Sequence, residues 1–201
     1  MKIVVIDYNL GNPKSVVNIL KKIGYEAIVT NSKDKITTAT HIILPGVGNF
    51  KEGMKNLDLF GLRELLNEKV LIQKTPILGI CLGMQLMTNF SEEGNTIGLK
   101  WVNANVKKFN FKNINLKSPH MGWNEVEFRH KLDLCENPAR FYFVHSYFVE
   151  CIDADNIFGT TKYGSHFTSA FRKDNIFGVQ FHPEKSHNFG IDLFNYFLSI
   201  A

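Results

Sequence analysis

Residues Pro76–Met87 read PILGICLGMQLM, and the change of periodicity inside this stretch decides the fold. Its first half, Pro76–Ile80, is a continuous apolar run, the pattern of a strand buried on both faces of a parallel sheet. From Cys81 to Phe90 the spacing turns helical. At the junction stands Gly79-Ile80-Cys81-Leu82-Gly83, the G-x-S-x-G spacing of a nucleophile elbow with sulfur in place of oxygen. A strand that turns sharply into a helix leaves no room for flanking side chains, so glycine stands two residues before and two after the central residue. The corner lifts Cys81 to the carboxyl edge of the sheet and to a helix N-terminus, whose dipole favours thiolate over thiol. Backbone N–H groups at the same point can receive a developing oxyanion. A small buried hydrophobe would also suit such a junction. The elbow alone does not separate the two.

The flanking sequence repeats the strand–helix alternation. Ile3–Ile6 is a β-branched apolar run, read as another buried strand. Asn12 is placed to cap a helix and Pro13 to open its first turn. Val16, Ile19, Leu20 and Ile23 form one apolar stripe; Lys21 and Lys22 favour the negative helix end, and Gly24 is placed to terminate it. Tyr25–Val29 and His41–Leu44 read as strands, Pro45–Gly48 as a loop, and Lys51–Lys69 as helix. Beyond residue 100 the signals are shorter and strand-like: Val102–Phe109, Phe141–Val144, Phe167–Phe171 and Ile176–Gln180. Phe189, Leu193, Phe194, Phe197 and Leu198 make the stripe of a closing helix. The expected fold class is α/β: a layered domain with a mainly parallel central sheet flanked by helices and an antiparallel extension, one domain over residues 1–201.

Composition narrows the function classes. Hydrophobic residues make up 44% and charged residues 21%, an ordinary globular balance. The net charge of +4 is modest and the lysines are scattered, so no nucleic-acid partner is expected. No apolar run approaches the ~18 residues of a membrane helix, and the opening MKIVVIDYN reads as a strand, not a secretory signal. Three unevenly spaced cysteines, Cys81, Cys135 and Cys151, argue against a disulfide framework and for a reducing cytoplasm. Cys135 and Cys151 match no motif and are read as structural.

A thiolate nucleophile needs a base, and the base needs an orienting group. Residues 177–186 read FGVQFHPEKS, with His182 and Glu184 two apart at the end of an apolar strand. In extended chain such residues face one side, and Pro183 keeps its neighbour extended. Glu184 can then hold the His182 imidazole in one tautomer while its other nitrogen faces Cys81. Taken singly, His-x-Glu is more often a solvated strand end; the elbow reverses that judgement. A metal site of His182, Glu184 and His187 is possible by residue type, but no second ligand cluster accompanies it, so no metal or other cofactor is expected.

Cys81 in GICLGMQ with His182 and Glu184 in FHPEKS resembles the triad of class I glutamine amidotransferases. LPGVGNF (Leu44–Phe50), PHMGWN (Pro119–Asn124), FYFVHSYF (Phe141–Phe148) and the opening VIDYNLGN resemble, more narrowly, the glutaminase subunits of imidazole glycerol phosphate synthase. Asn9 and Pro13 stand where that family usually has glycine and leucine. Asn tolerates left-handed backbone and Pro suits a helix start, so neither threatens the fold.

The resemblance implies hydrolysis of L-glutamine to glutamate and ammonia through a glutamyl thioester on Cys81. His182 would protonate the departing ammonia, and backbone N–H groups of Leu82 and of Val47 and Gly48 would hold the oxyanion. Gln85, Gly48 and the backbone around Ser146 and Tyr147 would contact the substrate. It also implies a (β/α)₈-barrel cyclase partner in a heterodimer, which receives the ammonia and makes imidazole glycerol phosphate and AICAR in histidine synthesis. His120, Met121, Gly122, Trp123 and Asn124 would be the docking segment, with Trp123 as anchor. A paralogous subunit supplying ammonia to a barrel that amidates a sugar for surface glycans is the alternative. A silent scaffold or a thiol hydrolase fits the motifs less well.

Overall fold

Each residue of Ile3–Ile6 is buried, and successive side chains enter two different cores. Val4 and Ile6 face one layer while Ile3 and Val5 face the other, as strict strand alternation requires. That two-faced burial is why the run carries no polar position. The computed structural model describes residues 1–111, 116–129 and 139–200. Cys135 lies outside the described residues.

Chain order gives β1 (Ile3–Ile6), α1 (Pro13–Lys22), β2 (Ala27–Thr30), α2 (Lys33–Thr37), β3 (His41–Gly46), α3 (Phe50–Leu59), α4 (Arg63–Asn67), β4 (Ile77–Cys81) and α5 (Leu82–Leu86). Short strands follow: β5 (Phe90–Ser91), β6 (Thr96–Ile97), β7 (Ala104–Lys108), β8 (His120–Phe128), β9 (Ala139–His145) and β10 (Tyr147–Cys151). Then come β11 (Ile157–Tyr163), β12 (Ser165–Lys173), β13 (Ile176–Val179) and α6 (His187–Leu198). Among the described residues the sheet runs β2-β1-β3-β4-β13-β12-β10-β7-β5-β6. The first five in that order are mutually parallel. From β12 through β10 to β7 the pairing is antiparallel, and β8, β9 and β11 branch from this extension. The expected fold class is therefore observed.

Helices cover the parallel block on both sides. Residues of α3 and α4 pack with Ile42, Leu44 and Ile77 on one face; Val16 and Leu20 of α1 pack with Leu193, Phe194 and Phe197 of α6 on the other. Pro13 does open α1, but Asn12 makes no side-chain capping bond. Gly24 ends the helix at φ +88, with Gly24 N–H donating to Lys21 O and Tyr25 N–H to Leu20 O.

Two helical expectations were too long. The run Lys51–Lys69 is broken after Leu59, because Gly61 at φ +60 closes a cap in which Leu62 N–H donates to Leu57 O at 2.8 Å. A second helix, α4, restarts beyond it and runs into a π-helical turn at Glu68–Ile72. The run Cys81–Phe90 is helical only to Leu86. Leu99 and Trp101 N–H donate to the Leu86 and Met87 carbonyls, so returning chain takes the acceptors that a longer helix would use.

Candidate active site

The register of the parallel block brings three segments together at one end. Gly46 of β3 pairs with Cys81 of β4, and Gly79 pairs with Gly178 of β13. The residues after β3, after β4 and after β13 therefore converge on the sheet's carboxyl edge. At that edge Cys81 has φ +53 and ψ −107, a backbone conformation L residues rarely adopt. Its flanking glycines answer to sterics: a Cβ on Gly79 would lie 2.7 Å from Met84 N, and one on Gly83 would run into Leu44 O. A strained strand-to-helix corner at Cys81 is what the sequence spacing predicts, and it is what the chain builds.

His182 and Glu184 meet the edge from β13. His182 Nδ1 donates to Glu184 Oε1 at 2.7 Å, and both side chains are almost fully buried. The route differs from the expected extended strand. After His182 the chain enters a 3₁₀ turn, Pro183–Lys185, in which Lys185 N–H and Ser186 Oγ both donate to His182 O. The turn, not strand alternation, folds Glu184 back under the imidazole. His182 Nε2 is buried without a close hydrogen bond and feels the charge of Cys81. Burial pulls the His182 pKa down, but interaction with Cys81 and with Glu184 overrides it and raises it to about 10. An imidazolium beside a thiolate is the state that can hand a proton to a leaving group.

A cleft of about 330 Å3 opens over the sulfur. Val47, Gly48, Leu82, Gln85, Ser146 and Tyr147, all expected from sequence, line it together with Cys81. The N–H groups of Val47 and Gly48 make no hydrogen bond among the described residues, and Gly48 holds φ +116. Gln85 is buried, its Nε2 donating to Tyr147 O at 3.1 Å and to Gln180 Oε1 at 2.9 Å. Its Oε1 makes no hydrogen bond among the described residues.

Several residues of the site were not singled out from sequence. Pro119, Val144 and His145 line the cleft, and so does Glu93, which accepts from Phe50 N–H at 2.7 Å. Gln180 is fully buried and its Nε2 donates to Cys81 Sγ at 3.6 Å. Its place two residues before His182 was the available signal. Tyr8 packs its buried, unpartnered hydroxyl against Gly46, and burial together with the charge of Cys81 raises its pKa.

The segment His120–Asn124 divides by strand alternation. Met121 and Trp123 are exposed, at 60% and 41%, with Gly122 between them at φ +127. Trp123 stacks on His187 with ring centroids 5.4 Å apart. His120 is buried and hydrogen-bonded to the cleft-lining His145, so its side chain is turned inward and is no part of an outer surface. Asn124 donates inward to His120 and to Lys162 O. Among the described residues no helix is long and apolar enough to cross a membrane.

Comparison with known proteins identifies the family. The family model for glutamine amidotransferase class-I matches residues 4–198. Imidazole glycerol phosphate synthase subunit HisH 2 of Methanococcus maripaludis is 54% identical, with 99% of this chain and 100% of the relative covered. The HisH subunit of Leptospira interrogans is 43% identical, with 98% of each chain covered. HisH 2 of Pseudomonas aeruginosa is 45% identical over 99% and 100%. Among solved structures, a glutamine amidotransferase crystal structure superposes with a TM-score of 0.77 at 18% identity, covering 98% of this chain and 97% of that one. The structure of PurLQS from Thermotoga maritima gives a TM-score of 0.73 at 17% identity, again covering 98% and 97%. With its family model spanning nearly every residue and full-length relatives named as HisH, the chain belongs to the class-I glutamine amidotransferases, among the HisH subunits of imidazole glycerol phosphate synthase.

Proposed function

We propose that the protein hydrolyses L-glutamine to glutamate and ammonia and delivers the ammonia to a (β/α)₈-barrel cyclase in a heterodimer that serves histidine biosynthesis. The observation that carries the chemistry is the strained Cys81 corner beside the His182–Glu184 pair, roofed by a cleft whose free N–H groups come from Val47 and Gly48. Cys81 Sγ attacks the side-chain amide carbon of glutamine. The oxygen becomes an oxyanion, received by N–H groups of Val47, Gly48 and Leu82. His182 gives its Nε2 proton to the amide nitrogen, and the C–N bond breaks to release ammonia. Water, deprotonated by the now neutral His182, then cleaves the thioester and frees glutamate. Glu184 keeps Nδ1 protonated throughout and stabilises the imidazolium.

Glu93, an acid on the cleft wall, suits the α-ammonium of the amino acid, while the backbone at Ser146 and Tyr147 suits its carboxylate end. Ammonia protonated in bulk water is no nucleophile, so delivery needs a seated partner; exposed Met121 and Trp123 offer the anchor. The relatives' names support the histidine pathway, and none of them names a sugar-amidating role. Two experiments test the reading. Cys81→Ala should abolish glutaminase activity of the assembled, ligand-bound complex, and the wild-type gene should rescue a histidine auxotroph lacking its own glutaminase subunit. Growth only on added histidine would remove the pathway assignment.

A further inference from the structure

Two buried histidines, His145 in the cleft wall and His120 hydrogen-bonded to it, have no task in the reaction above, yet their hydrogen bonds allow one arrangement only. The Tyr147 carbonyl can only accept, so His145 Nδ1, 2.8 Å away, donates to it. Burial lowers the His145 pKa to about 3, so the ring is neutral and its Nε2 is bare. His120 Nδ1, 2.9 Å from that bare nitrogen, must donate. Burial likewise lowers His120 to about 4, and its Nε2 accepts from Asn124 Nδ2 at 3.1 Å. Asn124 is fixed in turn by donating to Lys162 O at 3.1 Å and accepting from Glu125 N–H at 2.8 Å.

The chain continues inward from the same carbonyl. Tyr147 O also accepts from Gln85 Nε2, whose second hydrogen goes to Gln180 Oε1, and Gln180 Nε2 reaches Cys81 Sγ. Donors point inward from β8, the strand carrying the exposed Met121 and Trp123, as far as the Tyr147 carbonyl, which accepts from both sides, and from Gln85 they point on through Gln180 to the Cys81 sulfur. No tautomer change can repair a break at His120: His145 Nε2 loses its donor, and moving the proton to Nε2 would leave a bare Nδ1 facing the Tyr147 carbonyl.

We propose that this chain is a positioning relay: Gln180 holds the Cys81 sulfur by donating to it, and His120 and His145 transmit the seating of β8 to Gln180 through the Tyr147 carbonyl and Gln85. Only the catalytic meaning of the relay rests on the glutaminase reading. An amide donor at the sulfur stabilises its anion and fixes its direction. A partner that settles β8 through Met121 and Trp123 would tighten the far end of the same chain.

The test reads the sulfur directly. Full-length protein is treated with iodoacetamide at pH 7.5, and alkylation of Cys81 is followed by peptide mass spectrometry, separately from Cys135 and Cys151. Gln180→Met should slow Cys81 alkylation about tenfold, the scale of one lost hydrogen bond to a charged group. His120→Leu, which keeps bulk but not the donor, should slow it several-fold. His120→Asn, which restores a donor at the Nδ1 position, should recover most of the rate. In the Gln180→Met background His120→Leu should add nothing. Thermal melts establish that each variant is folded; should His120→Leu fail to fold, His145→Asn, which restores a donor at the Nδ1 position, against His145→Leu makes the corresponding comparison at the next link. Equal slowing by His120→Leu and His120→Asn, or effects that multiply in the double variant, would overturn the relay. A complex that turns over glutamine normally with such results keeps the glutaminase reading and loses only the relay.

Discussion

His182 Nδ1 donates to Glu184 Oε1 at 2.7 Å across a single intervening proline. The closeness comes from the 3₁₀ turn at Pro183–Lys185, and it fixes which ring nitrogen is free for the sulfur. Because the carboxylate can only accept, the shared proton sits on Nδ1, and Nε2 is the nitrogen left without a partner, available for the proposed proton exchange with Cys81 and the leaving group.

This pair makes stability depend on pH in a definite direction. The folded-state pKa of His182 is raised from 6.5 to about 10, with interactions with Cys81 and Glu184 outweighing burial. The contribution of a group so raised is fully present below pH 6.5 and is lost as pH climbs towards 10. The melting temperature should fall across that window in wild type. Glu184→Gln removes one of the two raising partners, so its melting curve should be flatter over the same range, and its kcat should drop by about two orders of magnitude. Parallel pH profiles for the two proteins would contradict the assignment.

The elbow tolerates no side chain at Gly83. A methyl group there meets the Leu44 carbonyl, which is itself tied into the parallel block, so neither side can yield cheaply. Gly83→Ala should destabilise the fold by about 3 kcal/mol, at the upper end of overpacking costs, as read by urea denaturation. Gly24→Ala, where a Cβ meets open space but φ is +88, should cost only about 1 kcal/mol.

Glu93 is predicted to select for an amino acid over a simple amide. Glu93→Gln keeps an acceptor for Phe50 N–H but removes the charge. Its KM for glutamine should rise about tenfold with a smaller change in kcat, the expected signature of an interaction made equally in ground and transition states. An unchanged KM would mean that the carboxylate serves only to cap α3.

Trp123 is exposed and held by its stack on His187. Trp123→Ala should therefore leave the melting temperature of the isolated chain within a few degrees while weakening the cyclase complex by at least about 2 kcal/mol in calorimetry. Met121→Ala should weaken it less. An unaltered binding isotherm for Trp123→Ala moves the anchor elsewhere on the surface.

Much of this molecule was legible because its decisive signals are local. The apolar runs of β1, β3, β4 and β13 and the glycines around Cys81 report backbone conformation and burial directly, so strand and corner follow from residue type and spacing. The helix breaks were harder. Gly61 stood in plain view inside Lys51–Lys69, but a single glycine does not say whether it kinks a helix or caps it until Leu57 and Leu62 are known to pair.

Residue order was enough to name the candidate groups: a cysteine between glycines, a histidine and a glutamate near the far end, and a loop expected at Pro45–Gly48, of which Pro45 and Gly46 prove to close β3 and only Val47 and Gly48 keep free N–H groups. Their company was decided by packing in three dimensions. Gln180 at the sulfur, Glu93 across the cleft, and His120 turned inward against His145 depend on strand register and on contacts between residues tens to a hundred positions apart. Hydrogen bonds of that kind are set by where whole elements pack. Spacing along the chain records the conformation of neighbours, and carries no measure of which distant side chain will fill the remaining donor or acceptor.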